Sequence, residues 1–174
     1  MPDCEIGPLE PPDSYHLEAA KGWLDLGNSH EANEELEKIV PELRVHPDVL
    51  EVRWTIYASV AQWDACLDIA TAITTLAPSR HAGWGDRAFS LRKLGRINEA
   101  RDLLLSIVDA LPHWTLCYEL ARFSCLLERF TEASDWLGKA FDMLPDDDAR
   151  RRLKLLALDA PDFERLWIQS QLRE

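Results

Sequence analysis

The sequence is short of positive charge. It carries 19 Lys+Arg against 31 Asp+Glu, for a net charge of −12 over 174 residues. Binding to a nucleic-acid backbone draws its energy from lysine and arginine displacing counterions, so this balance argues against a nucleic-acid partner. It leaves room for a local basic patch. The deficit is uneven: the first 45 residues hold 11 acids and 3 bases, the remaining 129 hold 20 and 16. Long apolar runs are missing too, and none approaches the ~18 residues of a membrane span. The opening MPDCEIGPLEPPD has acids where a secretory signal needs lysine or arginine, and no apolar stretch follows.

Cysteine is sparse and unpatterned. Cys4, Cys66, Cys117 and Cys125 form no CxxC or Cys/His metal spacing. If Cys117 and Cys125 share a helix, they lie roughly 12 Å apart along it, too far to bridge. Four partly buried thiols in a reducing compartment are expected, and hence a soluble, cytoplasmic protein.

Recognisable catalytic motifs are absent as well. The chain has no GxGxxG, Walker loop, GxSxG or HExxH. Gly83-Trp84-Gly85 is its nearest approach to a glycine cluster. His16, His30, His46, His81 and His113 include no pair at i,i+4, the ligand spacing of a helical metal site. The expectation is no catalytic residue, no cofactor and no metal.

What is present is periodicity. With 47% hydrophobic and 29% charged residues the chain has a globular composition and length enough for its own core. Four segments superimpose on an acid-alanine pair: Glu31-Ala32, Asp64-Ala65, Glu99-Ala100 and Glu132-Ala133, with alanines 33, 35 and 33 residues apart. Leu36, Ile69, Leu104 and Leu137 follow at plus four. Ile39, Ala72, Ile107 and Ala140 follow at plus seven, which places all three positions on one helix face. Twelve residues before each alanine stand Ala20, Arg53, Ala88 and Ala121. Gly27 and Gly95 supply left-handed helix ends in segments one and three, where segments two and four have Val60 and Glu128. Prolines 47, 78, 112 and 145 stop the second helices.

This helix-turn-helix pattern resembles the tetratricopeptide repeat, whose period is 34 and which pairs small residues on its two helices at these intervals. The expected fold is all-α, a right-handed superhelical solenoid of antiparallel helix pairs. Four repeats are placed at about 14–46, 47–79, 80–113 and 114–145. Residues 1–13 read as a flexible, proline-rich acidic tail, disordered or draped on the surface, with one PxxP spacing at Pro8-Pro11. Residues 146–174 read as capping helices, opened by Asp146-Asp147-Asp148 and ending in ALDAPDFERLW, which looks like the closing segment of some bacterial repeat proteins of this class.

The resemblance implies a concave face lined by the first helix of each pair, and a non-catalytic scaffold that binds a peptide or helix of a partner protein. The groove residues it implies are Glu18 and Lys21, then Glu51, Trp54 and Tyr57, then Asp86, Phe89, Arg92 and Lys93, then Tyr118, Glu119 and Arg122. Glu18, Glu51, Asp86 and Glu119 share one offset. They read either as a strip selecting cations or as local complements to helix dipoles. The aromatics read as an exposed stripe or as core. The carboxylate clamp of co-chaperone members does not fit, since among the matching positions Leu17, Lys21, Glu51, Ala82 and Asp86 only Lys21 has a suitable charge. A small export or assembly chaperone for a secretion-type client, or a regulatory enzyme subunit, are the alternative functions. The sequence leaves the oligomeric state open.

Overall fold

A computed structural model describes residues 7–171, and every regular element among them is helical. Eight helices come first, a first and a second helix in each repeat: α1 (Asp13–Asp25) and α2 (Ser29–Lys38), α3 (Pro47–Ser59) and α4 (Trp63–Leu76), α5 (His81–Lys93) and α6 (Ile97–Ile107), α7 (Trp114–Leu126) and α8 (Phe130–Asp142). Then come α9 (Asp147–Asp159), a 3-10 turn over Pro161–Phe163, and α10 (Glu164–Gln171).

Local chemistry sets these boundaries. Side chains of Asn28, His46, His113 and Asp146 each accept a backbone N–H of the helix they precede, satisfying donors that a helix start leaves orphaned. Pro47 fits the first turn of α3, where no N–H is needed. Each first helix ends on a residue with positive φ: Gly27 (74°), Ala61 (56°), Gly95 (76°) and Glu128 (60°). Glycine adopts that conformation freely, whereas Ala61 and Glu128 hold it at a cost of about 1 kcal/mol each.

Those four turns correct the alignment of the second repeat. Counting five residues on from each reaches Ala32, Cys66, Ala100 and Ala133, all fully buried. The period is therefore 34, 34 and 33, and Cys66 takes the place expected for Ala65. Ala70 and Ile73 follow it into the core, while Ile69 and Ala72 are only half-buried. On the first helices the matching column is Ala20, Trp54, Ala88 and Ala121, so Arg53 gives way to Trp54. Asp64-Ala65 imitates the acid-alanine pair one residue early. A slip of one residue turns a side chain by about 100° around its helix.

The chain divides into two compact units, one reaching to Leu94 and one starting at Gly95. In the first, Leu17, Ala20, Ala32, Leu36, Ile39, Val49, Val52 and Ile56 form a continuous buried cluster, with Leu9, Trp23, Leu24 and Leu43 packed against it. The second closes over Leu104, Leu116, Leu120, Phe123 and Phe163, all fully buried. Burying a side chain of that size contributes roughly 2–3 kcal/mol.

Of the two states open to the tail, disordered or draped on the surface, residues 7–13 take the second. Leu9 packs on the first unit's core, and His46 Nε2 donates to the Gly7 carbonyl at 2.9 Å while its Nδ1 accepts from Asp48 N–H. Asp13 is buried and accepts Val40 N–H at 2.8 Å, tying the start of α1 to the chain leaving α2. Residues 1–6, with Cys4, lie outside the described residues.

Gly83 marks a close approach of α5 to α4. A Cβ there would sit 2.6 Å from Ile73 Cγ2 on α4. Gly83→Ala should destabilise the protein by about 1–3 kcal/mol through overpacking, and Ile73→Leu, which lacks the Cβ branch that carries Cγ2, should recover part of the loss in the double variant. Urea denaturation of the four proteins of this cycle measures both effects; additive losses would mean the contact is not the cause.

Candidate functional site

The groove residues of the first unit fall into three groups. Glu18 and Lys21 are exposed and pair with each other at 2.7 Å on one turn of α1. Glu51, at the start of α3, lies 3.1 Å from Arg80 Nη1, which also holds Asp48 at 2.5 Å. Asp86, on α5, is the exception. Among the described residues it has no hydrogen bond or ion pair through its carboxylate, and burial, then the nearby Glu51 charge, raises its pKa to about 7. One residue away, a Cβ on Gly85 would meet nothing within 4 Å. The gap is open space, so no neighbouring helix of the unit accounts for that glycine.

The aromatic residues do not form an open stripe. Trp54 stands where the other pairs carry alanine, and its indole N–H donates to the buried Ser90 Oγ at 3.1 Å, pinning α3 to α5. Phe89 meets Trp54 and Trp63 edge-on, with ring centroids 6.0 and 5.8 Å away. Lys93 Nζ sits 5.2 Å from the Trp63 ring and 5.3 Å from Phe89, and the Arg92 guanidinium lies 5.1 Å over Phe89. The unit thus fills its own aromatic surface with its own cations. Tyr57 is half-buried, in the column of Trp23 and Leu91. In the corrected register Glu51, Val52, Thr55 and Ala58 take the groove columns of α3. The acidic ladder accordingly reads Glu18, Val52, Asp86 and Glu119, and Trp54 and Tyr57 leave the groove positions expected of them. Trp63 escapes the sequence reading altogether. It opens α4, in the column of Ser29, Ile97 and Phe130, which shows an apolar preference only once the second repeat is moved by one.

In the second unit the corresponding positions are covered by the chain itself. Tyr118 is buried with its ring 5.5 Å from Phe163. Arg122 bridges Glu119 at 2.8 Å and Asp162 at 2.7 Å, all three side chains being mostly buried. The 3-10 turn at Pro161–Phe163 lays an acid and an aromatic onto α7, so the expectation of an open surface at Tyr118, Glu119 and Arg122 is corrected. Beside it a shallow cleft of about 460 Å³ remains, walled by Trp114, Tyr118 and Leu156, with Glu119 and Asp159 at its edge.

The described thiols are unsuited to nucleophilic work. Cys66, Cys117 and Cys125 are free and buried. Burial raises the pKa of each, that of Cys125 to about 12 with the Asp162 charge adding to the effect. Among the described residues no group of three or more His, Cys, Asp or Glu is placed to hold a metal ion, and no helix is long and apolar enough to cross a membrane.

No family model matches this chain, and no curated protein does at a significant level. Its fold does have solved counterparts. A thermophilic TPR protein of Thermus thermophilus superimposes with a TM-score of 0.70 at 19% identity, over 85% of this chain and 82% of that one. MamA of MSR-1 gives 0.60 at 18% identity over 75% of each chain, and a double mutant of MamA from RS-1 gives 0.64 at 12% over 77% and 76%. The fold is the all-α tetratricopeptide-repeat solenoid of antiparallel helix pairs.

The raised pKa of Asp86 has a defined consequence for stability. Between its ordinary value of 3.8 and about 7 the folded chain holds a proton that the unfolded chain releases. Stability attached to this group is therefore present below about pH 4, falls as pH rises towards 7, and stays lost above. Asp86→Asn should be more stable than wild type by roughly 2–4 kcal/mol at about pH 8, with the gap closing at about pH 3.5. Urea denaturation across that range decides it; a gap independent of pH would mean the carboxylate is not desolvated. In a Cys4→Ser variant, Ellman's reagent should react with the three remaining thiols only on unfolding.

Proposed function

We propose that the chain is a non-catalytic protein-interaction scaffold, and that the first unit receives a basic peptide or helix of a partner protein on the surface around Glu51, Asp86 and Gly85. The observation that carries this reading is Asp86, a desolvated carboxylate with no cation of its own among the described residues, beside an open space. A lysine or arginine delivered there would relieve the repulsion from Glu51 and hold Asp86 ionised. The lack of a side chain at Gly85 lets a partner backbone come close, at the cost of about 1 kcal/mol to its helix relative to alanine. Glu18 and Lys21 neutralise one another, and Lys93 and Arg92 already occupy the aromatic faces, so the acids on α3 and α5 set the preference.

A non-catalytic role belongs to this reading, and the raised pKa values of Cys66, Cys117 and Cys125 accord with it. A cytoplasmic location belongs to the same reading. An export chaperone or a regulatory subunit would use this surface too and would differ only in what is bound. The Trp54–Ser90 bond changes how the proposal is tested, because Trp54→Ala would cut the link between α3 and α5 and confuse unfolding with lost binding.

Two variants separate those effects. Asp86→Asn removes the charge while relieving desolvation, and Gly85→Leu fills the open space with a good helix former. Both should melt at or above the wild-type temperature. In affinity capture from native extract at about pH 8, both should lose a partner that wild type retains, and that partner's basic segment, made as a peptide, should bind at least tenfold more weakly to either variant. The peptide's affinity for wild type should also fall as the pH drops below 7. Equal binding to all three proteins would overturn the assignment.

A further inference from the structure

Two exposed helix faces remain outside that site. On α1, Tyr15, Ala19, Gly22 and Leu26 recur at i, i+4, i+7 and i+11 and so lie along one side of the helix. That side is turned away from the core, for Tyr15 and Leu26 are 68% and 77% exposed, and a Cβ on Gly22 would meet nothing within 4 Å. The result is a shallow trough with large apolar residues at its two ends and small ones between. On α9 the pattern is the reverse. Leu153 and Ala157 enter the core, while Leu155 and Leu158 project from the opposite side, 61% and 54% exposed. A helix that closes a repeat array usually shows a polar outer face. This one shows a ridge of leucines.

The charges beside the two faces are opposite. Arg151 and Lys154 flank the ridge and have no acidic partner among the described residues, whereas Arg150 and Arg152 are tied to Asp147 and Asp148. Asp25 flanks the trough and also has no partner among the described residues. The first 45 residues carry a net charge of −8, and residues 150–154 read RRRLK. Both faces are exposed in the folded chain.

We propose that the α9 ridge of one copy of this protein docks into the α1 trough of another. Leu155 and Leu158 sit over Ala19 and Gly22 between Tyr15 and Leu26, and Arg151 and Lys154 meet Asp25. A head-to-tail contact between two different surfaces is heterologous: the pair keeps one free ridge and one free trough, on different copies, so association continues past the dimer into a ring or a longer chain of copies. The face around Asp86 takes no part in it.

The test is sedimentation of the full chain. Between roughly 1 and 200 µM the average mass of the wild type should climb past that of a dimer, and less steeply at ~0.5 M than at ~0.05 M salt. A trough variant, Ala19→Arg with Gly22→Arg, and a ridge variant, Leu155→Glu with Leu158→Glu, should each stay at the 19.9 kDa of the single chain. Mixed, the two variants should form a one-to-one complex of about 40 kDa and stop there, because each supplies the face the other lacks. That complex also shows both variants to be folded. Should either variant fail to fold, Asp25→Arg replaces the first and Arg151→Asp the second, and weakened assembly of each should be restored in their mixture. A wild type that stays monomeric throughout overturns the proposal, as does a dimer that the ridge substitutions leave intact.

Discussion

The rest of the structure depends on how closely two helices can approach when the residue between them is an alanine. Ala20, Ala88 and Ala121 on the first helices and Ala32, Ala100 and Ala133 on the second are all fully buried. Removing side-chain bulk at one point in each helix lets the backbones of α1 and α2, and of α7 and α8, come near, and larger residues one turn away then interdigitate. Leu36 and Leu137 are those residues. The second repeat meets the same constraint differently. It places Trp54 in the first column and Cys66 in the second, and the cysteine thiol faces the Trp54 carbonyl at 3.7 Å. The bulk of Trp54 is taken up towards α5, where Ser90 receives its N–H.

That substitution shapes the surface beyond it. Trp54 draws Phe89 and Trp63 into an edge-on cluster, and Lys93 and Arg92 close over the rings. The aromatic face is used up inside the unit. The acids are left over: Glu51 shares Arg80 with Asp48, and Asp86 has no cation among the described residues. A carboxylate held in that state destabilises the fold at neutral pH, and an asparagine of nearly the same shape would remove the penalty.

How much of this the sequence carried depends on the range of the interaction. The repeat is legible because helix periodicity is local and four copies reinforce one another, and the paired helices follow the alanine columns. The second repeat reads one residue early because Asp64-Ala65 matches the acid-alanine pair and Ala61, unlike Gly27 and Gly95, gives no sign of a left-handed turn. At a 100° step that error is enough to send Trp54 and Tyr57 to the groove and to hide Trp63. The covering of Tyr118 and Arg122 by Phe163 and Asp162 is illegible for another reason. It joins residues about forty apart through one ion pair and one ring contact, and no spacing rule connects them. The hold on residues 7–13 is similar, resting on single bonds from His46 and Asp13.

The two units handle the same first-helix surface in opposite ways, and the charge balance follows. In the second unit Arg122 stands between Glu119 and Asp162, so two mostly buried acids share one mostly buried cation and the turn lies flat on α7. Removing that arginine would leave two carboxylates facing each other with water excluded, a loss of about 3–5 kcal/mol for such a group. In the first unit no such cation reaches Asp86 among the described residues, because Arg80 is committed to Asp48 and Glu51, and Lys93 and Arg92 to the rings. A half-buried acid without a counterion is tolerated there because its raised pKa lets it remain protonated near neutral pH. A cation supplied from outside would shift that balance by the same physics that Arg122 supplies from within, and the open side of Gly85 is where it has room to arrive.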